Sequence, residues 1–176
     1  MGMVTKKKSK AVQIANHIIN GNLKVNNLHL QKLLYYLQVN YMIDYDGRLL
    51  FEDKMEKWKL GPVVPNVYHA FKDYGPSLIE SPYRDFTFKR NEDAGFKVEF
   101  VDINLNDKEV EQYIDKCLQD LKQYDRFDLV DFTHKHDPWK KDEIHINNGI
   151  RNIVYDNNEL MDYFNENKEL LLVERD

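Results

Sequence analysis

Cysteine, serine and glycine are scarce in this 176-residue chain, and each shortage removes a class of function. Cys117 is the only cysteine, so neither an intrachain disulfide nor a zinc ribbon can form, which fits a reducing compartment. Its place in a helical apolar stripe makes it a core residue. The three serines, Ser9, Ser77 and Ser81, stand outside any nucleophile elbow, which leaves no basis for a Ser-His-Asp hydrolase. The seven glycines form neither a phosphate-binding loop nor a dinucleotide-binding fingerprint. No apolar run approaches the roughly 18 residues that cross a bilayer, and the start lacks the apolar segment of a signal peptide. A cytoplasmic location without membrane contact is therefore expected, and no cofactor is read from the sequence.

Positive charge is also short outside one place. The formal charge is −5, and Lys6, Lys7, Lys8 and Lys10 give the first ten residues +4, which leaves −9 on the remainder. Such an acidic body repels a phosphate backbone, so nucleic acid is an unlikely partner and a basic protein a suitable one. Residues 1–9 read as a basic, solvated tail. Length and hydrophobic content suit one buried core over residues 10–168, with 169–176 as a C-terminal tail.

What is present is periodicity. Ala11, Val12, Ile14, Ala15, Ile18 and Ile19 predict a first helix that stops at Gly21. Leu30, Leu33, Leu34, Leu37 and Tyr41 predict a longer second helix with one buried side, ended by Asp46-Gly47. A short strand is expected around Met55 to Lys59, then a turn at Gly61-Pro62 and a third helix with Pro65 at its first position, carrying Val67, Tyr68, Phe71 and Tyr74. Phe86 and Phe88, then Phe96, Val98 and Phe100, alternate with polar residues and predict a β-hairpin with one face covered. Asn106 with Glu109 reads as a capping box before the stripe Val110, Tyr113, Ile114, Cys117, Leu118 and Leu121. Asp125 caps a helix carrying Leu129, Phe132 and Thr133. A polar loop is expected from Asp137-Pro138 to Val154, and Asp156 with Glu159 opens a last helix with Leu160, Tyr163 and Phe164. The segment Leu170 to Val173 either packs back on the domain or frays. The fold class is α+β: one mainly helical domain with a small antiparallel sheet or hairpin.

Chemistry-bearing patterns are few. His134 and His136 form an H-x-H pair near Asp131, Asp137 and His145, from which a metal-dependent enzyme can be imagined. Ligands two residues apart converge only on an extended or turning segment. The plainer reading of His134 is a helix-end residue bonded to backbone beside Pro138 and Trp139. Glu52, Asp53, Lys54 and Glu56, or Lys97, Glu99 and Asp102, loosely match a carboxylate-and-lysine nuclease core, but such dense charge is ordinarily a solvated strand edge or loop. The eleven Tyr, nine Phe and two Trp exceed what one small core needs, and Tyr35 and Tyr36, adjacent on one helix, cannot both face the same line of it. At least one is expected at the margin, where Tyr and Trp favour interfaces.

The segment Leu30 to Tyr36 (LQKLLYY), Trp58 with Gly61 to Pro65, Tyr74-Gly75, Thr133-His134 with Pro138-Trp139, and Tyr163-Phe164 together resemble the Panacea domain of SocA-like and GepA-like phage-associated antitoxins. The resemblance spans nearly the whole chain in the right order. It implies a non-enzymatic module that binds and neutralises a toxin encoded beside it, or an adaptor that delivers the toxin to an ATP-dependent protease. It also implies structural roles for Leu30, Leu33, Gly61, Pro62, Pro65 and Pro138. The expected partner-binding residues are Lys32, Tyr36, Trp58, Tyr68, His134 and Trp139. Lys32 stands out because a charge within an apolar motif is costly to bury unless paired or functional. Homo-oligomerisation is left open, since an exposed aromatic patch serves a toxin or a second copy equally.

Overall fold

The computed structural model describes residues 9–21, 23–91 and 95–175, so Lys6, Lys7 and Lys8 of the basic tail lie outside the described residues. Eight helices and two separate antiparallel pairs of strands occur among the described residues, an α+β domain that is mainly helical. α1 (Lys10–Asn20) starts at the Ser9 cap and α2 (Asn27–Asp44) at the Asn26 cap, each side chain accepting an N–H of the first turn. β1 (Glu56–Trp58) pairs with β2 (Gly61–Val63), and α3 (Pro65–Phe71) begins with Pro65 in its first turn. β3 (Arg84–Asn91) pairs with β4 (Gly95–Asp102) in a ribbon of its own. α4 (Lys108–Leu121), α5 (Arg126–Lys135), α6 (Asp137–Lys140), α7 (Glu143–Asn147) and α8 (Asn157–Glu166) complete the chain.

The second helix is not half-buried but central. α1, α3, α4, α5, α8 and β2 all pack on it, and Tyr35 and Tyr36 are both fully buried, so neither sits at a margin. One-sided periodicity was the wrong template because the polar residues of α2 are inside as well. They clamp the backbones of the segments around it. Gln38 accepts from the N–H groups of Leu50 and Phe51 and donates to the Phe51 carbonyl at 3.0 Å. Gln31 accepts from Val64 N–H at 2.8 Å, and Asn27 donates to the Tyr68 carbonyl. Buried amides are tolerated here because each carries backbone groups that would otherwise be unpaired.

Other expectations shift in detail. Gly61 and Pro62 are strand residues, and the chain turns at Lys59-Leu60, because Trp58 pairs with Gly61 in a two-residue hairpin. The cap of α4 is Asp107, whose side chain accepts from Val110 N–H, rather than Asn106. Asp125 does cap α5, in a reciprocal box with Asp128. The loop expected from Asp137-Pro138 to Val154 contains α6 and α7, too short to show a helical period. The C-terminal segment packs back: Leu171 is fully buried, and its carbonyl accepts from Asn40 at 3.0 Å. Cys117 is in the core, where burial pushes its thiol up to about 11.

The hairpin β3–β4 departs most. Phe86, Phe88, Phe96, Val98 and Phe100 do share one face, but that face is open to solvent. The hydrogen bonds that tie it to the rest of the domain, among the described residues, lie near its base. There the buried Asn16 donates to the Tyr83 and Ile103 carbonyls, both at 2.8 Å, and accepts from Tyr83 N–H.

Candidate functional site

Four of the segments singled out in the sequence meet along one flank of α2. Lys32 is fully buried, and its Nζ donates to the Pro62 carbonyl at 2.8 Å. No ion pair to Lys32 occurs among the described residues, and burial pulls its ammonium down to about 7. Gly61 lies beside it with φ of +92°, and a Cβ there would stand 2.6 Å from Thr133 Oγ1 and 3.2 Å from Lys32 Nζ. Close approach of three segments therefore requires glycine at this position. Pro62 contributes no N–H to the ladder, and its carbonyl is what Lys32 holds.

The Thr-His and Pro-Trp residues close the same joint. Thr133 is buried and donates to the Val130 carbonyl at 3.0 Å, while Trp139 Nε1 donates to the Trp58 carbonyl at 3.0 Å. Pro138 lies in the first turn of α6, where its missing N–H costs nothing. His134, at the end of α5, stacks on Trp139 with ring centroids 4.0 Å apart, and the backbone group beside it is that of Lys59. Burial first, and then the nearby Lys32 charge, hold His134 below the usual histidine range, and its buried Nε2 has no hydrogen-bond partner among the described residues. Tyr36, expected at the surface, is inside, and its hydroxyl has no hydrogen-bond partner among the described residues. Trp139, also expected there, is buried as well. Leu30 and Leu33 are core residues.

The two histidines of the H-x-H pair take different partners. His136 is buried among Tyr35, Tyr36, Tyr163 and Phe164, with Nδ1 3.1 Å from the Tyr35 hydroxyl. Among the described residues no group of three His, Cys, Asp or Glu side chains is placed to hold a metal ion. The carboxylate patterns are structural where they are engaged. Asp53 accepts from Ser9 Oγ and Ala11 N–H, tying down the start of α1, and Asp102 and Glu99 pair with Arg84 and Lys89 along the ribbon.

Burial drives His136 down to about 4. An unfolded chain protonates this histidine near 6.5 while the folded one resists to about 4, so stability is lost as pH falls through that interval. The expected loss is about 3 kcal/mol. Urea midpoints at pH 4.5 and 6.5 check it: His136→Phe should show the smaller drop of the two proteins.

What reaches the surface is the outer edge of this joint. Trp58 is half-buried, donates its indole N–H to Glu56 at 2.8 Å and packs edge-on against Tyr68 at 4.8 Å. Beside them runs a groove of about 590 Å³ bordered by Lys59, His69, Ile146, Ile150 and Arg151. Behind it Lys57, itself buried, pairs with Asp142 at 2.6 Å and lies over the Tyr155 ring. Sequence reasoning missed Lys57, Asn16, Gln31 and Gln38, whose polar side chains carried no periodic signal. It found the aromatic and glycine positions through the motif.

Two comparisons bear on this arrangement. The family described as "Antitoxin SocA-like, Panacea domain" matches residues 30–140, which include α2 from Leu30 onward, both strands of the β1–β2 hairpin and the α5–α6 corner, but not α1. "Antitoxin SocA" of Caulobacter vibrioides (strain NA1000 / CB15N) is 43% identical over 58 residues, which are 33% of this chain and 30% of that protein. The match thus spans under a third of the relative's length. No solved structure matches the chain.

Proposed function

The chain belongs to the SocA-like antitoxin family defined by the Panacea domain, and from that premise we propose that it is the antitoxin of a toxin–antitoxin pair, acting as a non-enzymatic module that neutralises a neighbouring toxin by direct binding. The observation that carries this reading is the joint itself. The residues of the family motif hold the β1–β2 hairpin, α2, α5 and α6 together: Lys32 on Pro62, Gly61 under Thr133, Trp139 on Trp58. Among the described residues they form no group of three His, Cys, Asp or Glu side chains placed to hold a metal ion, and they present an aromatic edge outward. Such an edge, large in area and already ordered, suits a protein partner.

In this reading Trp58 and Tyr68 touch the toxin, while Lys32, Tyr36, His134 and Trp139 support them from inside. Trp58→Ala combined with Tyr68→Ala should weaken the toxin complex by roughly tenfold or more. Copurification from a strain co-expressing the adjacent genes checks this, with the melting temperature of the variant as the control for folding. Normal binding by a folded variant would remove this edge from the contact.

The same co-expression tests the function. Rescued growth with a stable complex supports sequestration. Rescue with falling toxin levels points instead to delivery to an ATP-dependent protease, and no toxic neighbour removes the antitoxin assignment.

A further inference from the structure

The groove beside Trp58 carries charge opposite to that of the body around it. Its lining holds Lys57, Lys59 and Arg151 against a single carboxylate, Glu56. Three other large clefts among the described residues carry at least as many carboxylates as lysines and arginines. Lys57 is already engaged, since it is buried and paired with Asp142 at 2.6 Å, and Glu56 accepts the indole N–H of Trp58 at 2.8 Å. Lys59 and Arg151 are exposed and form no ion pair among the described residues. The rest of the groove is largely apolar, with Trp58, Ile146 and Ile150, of which Ile150 is 52% exposed. One wall comes from β1 and the start of α3, the other from α7 and the turn after it. The walls are tied to each other by the Lys57–Asp142 pair and by two backbone bonds, Lys57 N–H to the Ile153 carbonyl at 2.7 Å and Tyr155 N–H to the Met55 carbonyl at 2.9 Å. A ligand therefore meets a preformed cleft of about 590 Å³, within the size range of binding sites.

Resting on the antitoxin reading, we infer that this groove takes an extended segment of the toxin in which a carboxylate stands next to a large apolar side chain. The carboxylate meets Lys59 and the fork of Arg151, and the apolar side chain lies on Trp58, Ile146 and Ile150. Charge decides the occupant. Nucleic acid offers phosphates, but the body of this chain is acidic, and two free cations release too few counterions to hold a phosphate backbone. In a symmetric pair of copies the groove would lie against itself and bring Lys59 and Arg151 up to their own duplicates, like against like. A head-to-tail contact would join two chains of net charge −5, which repel. A toxin segment meets neither obstacle, and the groove is continuous with the Trp58–Tyr68 edge assigned to the toxin above. The acidic body draws a basic toxin from a distance, while the groove selects an acidic stretch of it on contact and so fixes the register of the complex.

The test uses the full chain co-expressed with the toxic product of the adjacent gene. Lys59→Glu with Arg151→Glu reverses two exposed, unpaired charges, so the melting temperature should hold while affinity for the toxin falls about a hundredfold and protection is lost. Lys108→Glu with Lys168→Glu makes the same change of net charge at exposed positions outside the groove lining and should bind as the wild type does. Changing the aspartates and glutamates of the toxin to lysine one at a time should uncover one substitution that weakens binding to the wild type and restores it to the groove variant. A folded groove variant that still binds and protects overturns the groove assignment and leaves the antitoxin reading standing. A control pair that weakens binding equally, or a loss that no toxin substitution restores, does the same. A wild-type chain that binds and protects against no neighbour removes the antitoxin reading and the assignment with it. A wild-type dimer that the groove substitutions dissociate, with toxin binding intact, gives the groove to a second copy and overturns the proposal.

Discussion

Gly61→Ala should lower the stability of the fold by about 3 kcal/mol. Two costs combine. Alanine at φ of +92° is strained, and its methyl carbon would lie 2.6 Å from Thr133 Oγ1, inside van der Waals contact, with Lys32 Cε and Nζ each at 3.2 Å. The Thr133 hydroxyl cannot swing aside freely, because it is buried and bonded to the Val130 carbonyl. Gly149→Ala is the matched control: its φ is +85°, but nothing lies within 4 Å of the added carbon, so only the backbone strain of about 1 kcal/mol applies. For a domain of this size the difference is a gap of roughly 5 °C in melting temperature. Equal losses in the two variants would mean that the joint yields at Thr133 and that close approach is not what demands glycine there.

The second large effect is a rise of stability with pH above neutrality. Lys32 has its folded value at about 7 and an ordinary unfolded value of 10.5. Below about 7 it is protonated in both states and contributes no slope. Between the two values the unfolded chain binds a proton that the folded chain has released, so unfolding becomes less favourable as pH rises. The buried tyrosines set the upper limit of the window. Burial raises Tyr35, Tyr36 and Tyr155, so above pH 10 their ionisation in the unfolded chain works in the opposite direction. From pH 7 to 9.5 the gain should be of the order of 3 kcal/mol. Denaturant titrations across that window should show the slope in the wild type and its loss in Lys32→Met, which keeps the volume of the side chain and removes the titrating group. A wild-type profile as flat as that of the variant would mean that Lys32 is charged and solvated in the fold.

Helix positions were legible wherever one face was apolar. The stripe of α4 from Val110 to Leu121 is buried where its period places it, and Pro65 and Asp125 open their helices as expected. α2 was located but misjudged, since Gln31, Lys32, Gln38 and Asn40 are polar by type and buried in fact. Their bonds to Val64, Pro62, Phe51 and Leu171 join residues far apart in the chain, and local periodicity carries no record of such pairs. The ribbon failed in the other sense. Alternation predicted the strands and their common face correctly, but alternation reports only that a face is apolar, not what covers it. As for the site, the motif brought together Lys32, Gly61, Pro62, Thr133, Pro138 and Trp139 by resemblance, and their geometry gives them a mutual purpose. Tyr36 and Trp139 were misplaced at the surface because residue type alone does not distinguish a rim aromatic from a core one.

The closure of Asn40 by Leu171 has a consequence for synthesis. These residues are 131 positions apart, and Arg175, also bonded to Asn40 at 2.7 Å, is 135 away. At translation rates of about 5–20 residues per second the central helix leaves the ribosome roughly 7 to 26 seconds before the segment that seals it. For that interval the nascent chain holds its central helix without the segment that closes over Asn40, open there to chaperones and proteases alike.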